Sequence, residues 1–225
     1  MTRRAAIPWA GIFSAMERRL AESDGGRSLP SVSEVARDNH DPWRVLVSTM
    51  ISLRTRDDVT LRAAKALLQR APTPQALAAL AESTIESLIY PAGFYHTKAK
   101  NLRAAARLLL SAHAGAVPPE MEKLLALPGV GRKTANLVRN LGFGLPGICV
   151  DTHVHRISNR FGWVSTRTPG QTEAALMRVL PRRYWISINE LLVRYGQEVC
   201  VPLSPRCSTC PVVKRCARVG VRRSR

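Results

Sequence analysis

The fold is decided by one short stretch of sequence, Leu127-Pro128-Gly129-Val130-Gly131-Arg132-Lys133-Thr134-Ala135, which lies between two segments with helical periodicity. Its two glycines allow the backbone to turn tightly and to approach a ligand closely. The helix after Gly131 directs free N–H groups outward, and such a helix end can hold a phosphate. We therefore predict a helical hairpin over residues 124–139. An ordinary connection between two helices would use the same glycines.

The charge of the chain helps to choose between these two interpretations. The 34 Lys and Arg residues against 16 Asp and Glu residues give a formal net charge of +18, and 28 of the cations are Arg. Such a surface releases counterions condensed on nucleic acid, and guanidinium groups bind phosphate in a bidentate fork. A solvated Arg-rich surface and an anionic membrane are the alternatives. We assign DNA binding to the hairpin residues Gly129, Val130, Gly131 and Arg132.

Three side chains after the glycines can carry chemistry. Lys133 falls in the first turn of the helix, and a neutral lysine amine attacks carbonyl-like carbons to form Schiff bases. A solvated lysine that binds phosphate is the alternative. Asp151, the only aspartate after Asp58, can cap the next helix, stabilise a developing sugar cation, or do both. His153 can contact phosphate or pack in the core.

Four of the five cysteines fall close together near the C-terminus, as Cys200, Cys207, Cys210 and Cys216. Four thiolates in the spacing C-x6-C-x2-C-x5-C can hold either Zn²⁺ or a 4Fe-4S cluster. Zinc ribbons usually present two separated C-x2-4-C pairs, and only one such pair occurs here. We favour the iron-sulfur cluster, although the spacing alone does not decide. Cys149 lies outside the set and is predicted to be a core residue.

Nearly every periodic segment is helical, so we expect an all-α protein. Helices are predicted over residues 73–80, 84–89, 98–113, 118–127, 169–180 and 184–199. An amphipathic N-terminal helix should dock through Trp9, Ile12, Phe13, Met16 and Leu20. Gly25 and Gly26 should form a loop, and the Arg-rich tail from Lys214 should fray.

The start of the chain indicates where the protein works. Pro8 and Glu17 interrupt the apolar opening, so we predict no export signal and no membrane association. The expected location is the cytoplasm, in association with the nucleoid. Cysteines in a reducing compartment are better explained by a metal or cluster than by disulfides.

Three motifs in this order resemble those of endonuclease III, a family of helix-hairpin-helix DNA glycosylases: the hairpin stretch, Val150-Asp151-Thr152-His153, and the four-cysteine spacing. The resemblance extends from about residue 40 to residue 216. It implies a six-helix barrel lobe at residues 35–145, an iron-sulfur lobe at 1–34 plus 146–225, and a DNA-binding cleft between them. It also implies that Lys133 is the nucleophile and Asp151 the catalytic carboxylate.

The same resemblance implies a bifunctional DNA glycosylase/AP lyase of base excision repair. Its partner would be double-stranded DNA that contains oxidised pyrimidines, such as thymine glycol, or abasic sites. The enzyme would flip the damaged nucleotide out of the duplex, form a Schiff base through its lysine and nick the strand by β-elimination. We expect it to act as a monomer.

Two positions depart from the family pattern. Well-known bacterial members carry glutamine where Arg54 stands, and that residue fills the gap left by the flipped nucleotide. Many relatives carry leucine where Phe94 stands, as a wedge into the base stack, and an aromatic ring can wedge equally well. An ordinary core position is the alternative for Phe94. The preferred opposite base is therefore left open.

Two other functions remain possible from the sequence. A monofunctional mismatch glycosylase, removing adenine or thymine, would share the hairpin and the cluster, but that branch generally lacks a lysine at the position of Lys133. A non-enzymatic helix-hairpin-helix DNA-binding protein would keep the glycines and the basic surface without needing Lys133 and Asp151 together.

Overall fold

The computed structural model describes residues 6–23, 30–37 and 40–225 of the chain. Within these ranges all regular secondary structure is helical and no β-strand is present, which confirms the predicted all-α class. None of the described helices is long and apolar enough to cross a membrane. The chain divides into two compact units, Met1–Arg27 with Ile148–Arg225 and Ser28–Gly147. The loop predicted at Gly25 and Gly26 lies outside the described residues.

The unit Ser28–Gly147 carries the predicted hairpin. Its helices are α2 (Ser31–Arg37), α3 (Pro42–Ser52), α4 (Asp57–Arg70), α5 (Pro74–Ala79), α6 (Glu82–Ile89), α7 (Tyr95–His113), α8 (Met121–Leu125) and α9 (Arg132–Leu137), and α9 continues as a π-helical turn over Val138–Gly142. Short helices of this kind depend on packing of their apolar faces. Their buried side chains form one hydrophobic cluster, which includes Leu46, Leu67, Leu102 and Val138.

Capping side chains in this unit fix helix starts locally. The Thr73 hydroxyl accepts a hydrogen bond from the Ala76 N–H at 3.2 Å, and Pro74 occupies the first turn of α5, as predicted. Asp41 caps α3 through the Trp43 N–H at 2.9 Å. Each cap satisfies one N–H group that the helix itself leaves unpaired.

Two helices begin earlier than predicted. α6 begins at Glu82, so Thr84 lies inside its first turn and Ala81 precedes the helix without a side-chain cap. α7 begins at Tyr95 rather than at Lys98, because Phe94 in the left-handed region starts the helix directly after the turn. Neither α6 nor α7 therefore has a residue at its N-cap whose side chain caps the helix.

Two other helices begin later than predicted. α8 covers only Met121–Leu125, and Pro118 and Pro119 lie before it. A proline disfavours the helical region for the residue that precedes it, so a proline pair delays the helix. In the other unit, residues Arg182–Tyr184 form a separate 3-10 turn, and the long helix starts only at Ser187.

The unit Met1–Arg27 with Ile148–Arg225 contains the N-terminal helix and the cysteines. Its helices are α1 (Trp9–Ser23), α10 (Thr152–Phe161), α11 (Pro169–Val179) and α12 (Ser187–Glu198), with a second 3-10 turn over Val213–Arg215. The predicted docking face of α1 is confirmed, since Trp9, Ile12, Phe13, Met16 and Leu20 are all buried. They pack in one cluster with apolar side chains of α10, α11 and α12.

The Arg-rich C-terminal tail is held in place, so the prediction of fraying is wrong. The Arg225 N–H donates to the Pro205 carbonyl at 2.9 Å, and the Ser208 N–H donates to the Arg225 carbonyl at the same distance. The Arg218 guanidinium also donates to Ser224 Oγ at 2.9 Å. Backbone bonds to the cysteine-rich segment therefore outweigh charge repulsion within the tail.

Substitution of Met16 tests the docking of α1. Met16→Ala removes a fully buried side chain and should destabilise this unit by about 2–5 kcal/mol, because the cavity adds to the lost burial. Urea unfolding followed by circular dichroism measures the change. The matched control is Glu17→Ala, which alters the exposed neighbour. Equal stability of the two variants would contradict the docking role.

Candidate functional site

The hairpin turn is shaped by its first glycine. Gly129 has φ +77°, a conformation that side chains rarely adopt, and a Cβ there would lie 2.8 Å from the Asn101 side-chain nitrogen. The Val130 N–H donates to the Leu127 carbonyl at 3.1 Å and closes the turn. The Val130 side chain is buried in the core, so this residue can offer only its backbone to a ligand.

The second glycine begins α9 and leaves its surface open. Gly131 is the N-cap residue and supplies no side-chain cap, and a Cβ built on it would meet no atom within 4 Å. Arg132 is exposed beside it, whereas Lys133 is half-buried in the first turn. The start of α9 therefore combines an N-cap glycine without a side chain and two consecutive cations.

The far end of α9 is fixed by packing. The π-helical turn that follows is anchored by Asn140, whose side-chain amide donates to the Gly147 carbonyl at 2.9 Å. Gly142 in this turn lies against Pro42, where a Cβ would come within 2.8 Å of the proline Cα. An insertion of this kind often accompanies a functional site.

Asp151 caps α10 in the other unit. Its Oδ1 accepts a hydrogen bond from the Val154 N–H at 2.8 Å, as predicted for an N-cap residue. The segment before it is buried at Ile148 and Cys149, and the Asn189 amide donates to the Cys149 carbonyl at 3.1 Å. The carboxylate is thus held on a fixed backbone and remains half-buried.

His153 packs inside its own unit. Its Nδ1 lies 3.2 Å from Arg156 Nη2, and since a guanidinium only donates, Nδ1 is the acceptor. The ring lies so close to Gly196 that a Cβ there would overlap it. Arg156 also donates to the carbonyls of Gly196 and Cys200. These contacts match the packing alternative for His153.

Arg54 and Phe94 lie together on the surface of the unit Ser28–Gly147. Phe94 is 62% exposed, which excludes the core position considered from the sequence. The Arg54 guanidinium carbon lies 5.3 Å from the centre of the Phe94 ring, within cation–π distance. Both residues have positive φ, 54° for Arg54 and 59° for Phe94. Arg54 and Phe94 therefore lie in two strained turns, and their side chains form one contacting pair on the surface.

The four clustered cysteines line one cavity. The lining consists of the thiols of Cys200, Cys207, Cys210 and Cys216 with mainly apolar neighbours. All five cysteines of the chain are free thiols, and Cys149 is buried outside this cavity. Within the described ranges, no group of three or more His, Cys, Asp or Glu side chains forms a site for a metal ion.

Two polar residues next to the clustered cysteines were not predicted from the sequence. Arg160 donates to Cys200 Sγ at 3.3 Å and to the Val201 carbonyl at 2.9 Å. The Tyr195 hydroxyl is hydrogen-bonded to Cys210 Sγ at 3.0 Å. Tyr195 is buried, and burial raises the pKa of its hydroxyl, so it is kept protonated. No local pattern marks these residues, because the contacts form only in the folded chain.

Comparisons with known proteins place the chain among DNA repair proteins. Residues 47–182 match the family model described as HhH-GPD superfamily base excision DNA repair protein. Endonuclease III of Thermotoga maritima is 46% identical over 195 residues, which cover 82% of this chain and 92% of that protein. Endonuclease III of Escherichia coli is 35% identical over 175 residues, 78% of this chain and 83% of that protein.

A solved structure extends the likeness to the fold. It is described as a trapped endonuclease III–DNA covalent intermediate in an estranged-adenine complex. The TM-score is 0.79 at 28% identity, and the match covers 94% of this chain and 97% of that chain. The chain belongs to the HhH-GPD superfamily of base excision DNA repair proteins and, within it, to the endonuclease III family.

Proposed function

We propose that this chain is a bifunctional DNA glycosylase/AP lyase that removes oxidised pyrimidines and cleaves the strand at the resulting abasic site. The observation that carries the proposal is Lys133 in the first turn of α9, directly after the glycine turn, in a chain of the endonuclease III family. A mismatch glycosylase that uses water has no need of this amine, and a DNA-binding module has no need of a nucleophile.

DNA binding rests on charge and on the hairpin. The net charge of +18 draws the chain to the phosphate backbone and makes the affinity dependent on salt. The N–H groups at the start of α9 and the exposed Arg132 are proposed to hold a phosphate, because Gly131 leaves that end open. These contacts position the duplex and carry no information about the damaged base.

Damage is recognised when the nucleotide leaves the stack. Flipping costs a few kcal/mol, and less for a damaged base, because its stacking and pairing are already weakened. Arg54 and Phe94 are proposed to occupy the vacated space, where the ring stacks as a wedge and the guanidinium donates to the orphaned base. Their exposure and mutual contact support this role.

Base excision and strand cleavage follow from the lysine amine. The neutral Lys133 amine attacks the sugar C1′, the bond from C1′ to the base breaks, and the base leaves with the bonding electron pair and then takes up a proton. Opening of the sugar ring gives a Schiff base between Lys133 and C1′. This imine makes the C2′ proton acidic, and its loss expels the 3′ phosphate by β-elimination. Water then releases the lysine.

Asp151 is proposed to assist the first of these steps. A carboxylate stabilises the positive charge that develops on the sugar and can accept the proton of the attacking amine. Its capping bond to Val154 fixes the orientation of the side chain. The structural and the chemical role therefore use the same residue.

We also propose that Cys200, Cys207, Cys210 and Cys216 hold a 4Fe-4S cluster. Four cysteines around one cavity suit a group that takes one thiolate on each of four irons. The hydrogen bonds from Arg160 and Tyr195 would stabilise negative charge on the sulfurs. The cluster would brace this segment and supply no step of the reaction.

Trapping with borohydride tests the nucleophile. Reduction of the Schiff base during turnover should join the wild-type protein covalently to a duplex with an abasic site. Lys133→Ala and Lys133→Arg should give no trapped species while DNA binding is retained, since neither side chain supplies a neutral primary amine. The control is Lys123→Ala, on the preceding helix of the hairpin. Trapping that survives in both Lys133 variants would show that the assignment is wrong.

Substitution of Asp151 separates capping from catalysis. Asp151→Asn keeps a side-chain oxygen for the Val154 N–H but removes the charge, so base excision should slow by about 10² or more at unchanged thermal stability. Single-turnover excision of thymine glycol measures the rate. Asp41→Asn, at the N-cap of α3, is the matched control. Normal excision by Asp151→Asn would leave Asp151 with the capping role alone.

Elemental analysis tests the cofactor. Natively purified protein should contain iron and inorganic sulfide, and Cys207→Ser should lose them together with part of its stability, because ligand binding contributes folding free energy. Cys149→Ala is the control and should keep the iron. One zinc ion and no iron per chain would overturn the cluster assignment.

A further inference from the structure

One buried lysine has no part in the chemistry described above. Lys98 on α7 is only 7% exposed, and its ammonium nitrogen lies 2.6 Å from each of three oxygens: the carbonyls of Ile51 and Leu53 and the hydroxyl of Thr55. An ammonium group has three N–H donors, so each has one acceptor. Burial lowers the pKa of Lys98 to about 8.

The three acceptors belong to the end of α3 and the turn that follows it. The last carbonyls of a helix have no partner inside the helix, and a cation near them also interacts favourably with the helix dipole. Arg54 lies between the acceptors Leu53 and Thr55, and its φ is +54°. A non-glycine residue in this conformation costs on the order of 1–3 kcal/mol. The bonds from Lys98 offset this cost and hold the turn.

The same lysine reaches the turn that carries Phe94. The Thr55 hydroxyl, which accepts from Lys98, also accepts from the Gly93 N–H at 3.1 Å. A Cβ on Gly93 would lie 2.5 Å from the Arg54 carbonyl oxygen, so the two turns touch through their backbones. The backbone N–H of Lys98 donates to the Phe94 carbonyl at 3.0 Å. Lys98 is therefore bonded to both turns.

We infer that Lys98 is a positioning residue that fixes Arg54 and Phe94 as one preformed unit, ready to fill the space left by the flipped nucleotide. This inference rests on the proposed function and extends it to the support of the pair. Its ammonium acts through Thr55 and the end of α3, and it does not touch the substrate. Preformed side chains enter the stack without the entropy loss of ordering two turns on binding.

The test compares duplex with single-stranded substrate. Lys98→Met keeps a long apolar stem but removes the donors, and Thr55→Val removes only the shared hydroxyl. Single-turnover cleavage of an abasic site in a duplex should slow about tenfold or more in Lys98→Met, the factor that corresponds to loss of a hydrogen bond from a charged group. Cleavage and borohydride trapping on a single-stranded abasic oligonucleotide should be unchanged, because that substrate has no stack to fill.

Lys100→Met is the matched control, since it removes an exposed cation two residues further along α7. It should change both substrates equally, through DNA affinity alone. Thr55→Val should slow duplex cleavage in the same direction as Lys98→Met, and it provides the test if Lys98→Met does not fold. Thermal unfolding of each variant shows which variants are folded.

A double-mutant cycle separates positioning from general stability. If Lys98 acts through the pair, adding Lys98→Met to a variant that already carries Arg54→Ala and Phe94→Ala should slow duplex cleavage no further. If the rate reductions of the separate substitutions multiply in the combined variant, Lys98 has a merely structural role and the inference is overturned. The same holds if Lys98→Met slows cleavage of single-stranded DNA as much as cleavage of the duplex. Failure of the wild-type protein to trap abasic DNA in the duplex would instead reject the proposed function itself.

Discussion

Every helix end leaves backbone N–H or C=O groups without a partner inside the helix, and a chain of short helices has many such ends. Side-chain oxygens close several of them here, as Asp151 does at α10 and Thr168 at α11 through a capping box. The start of α9 is different. Gly131 supplies no side-chain cap, and the space around its Cα is open. Helices α4, α6 and α8 also begin without a side-chain cap, so what sets this end apart is the glycine at its N-cap position. Lys133, the proposed nucleophile, lies in the first turn of α9.

The C-terminal end of α3 shows the opposite solution. Its carbonyls are satisfied by a buried ammonium from α7, and the turn beyond it is thereby held in a conformation that Arg54 would not adopt by itself. Phe94 is held in the same region of backbone space at the start of α7. Strain at these two turns is tolerated because Lys98 and Thr55 bond to both. The conformation of the two turns that carry this surface pair thus depends on interior hydrogen bonds.

Local signals predicted some helix caps and buried faces correctly, but they misplaced the starts of α6, α7, α8 and α12. The Thr73-Pro74 cap, the buried face of α1, the tight turn at Gly129 and the N-cap role of Asp151 all follow from residue types at short spacing. Features that depend on distant residues could not be predicted. Lys98 lies 43 to 47 residues from its acceptors, and a single lysine in an amphipathic pattern looks like an exposed one. The exposure of Phe94 could not be predicted for the same reason, because its turn is held by Thr55, 38 residues away from Gly93.

The choice of lysine rather than arginine gives these two sites a common physical basis. The chain uses 28 arginines and only six lysines, so arginine is the usual cation of its surface. A guanidinium stays charged at any ordinary pH and presents its donors in a flat fork, which suits phosphate contacts. It cannot act as the primary-amine nucleophile proposed for Lys133, and a flat fork does not match three oxygens converging on one point, as they do at Lys98. A lysine side chain suits both sites, because a primary amine can form the Schiff base proposed for Lys133 and a compact ammonium can direct three donors at Lys98. At Lys98, and at Lys133 in the proposed reaction, the chain therefore needs the compact amine of lysine, which the guanidinium of arginine could not replace.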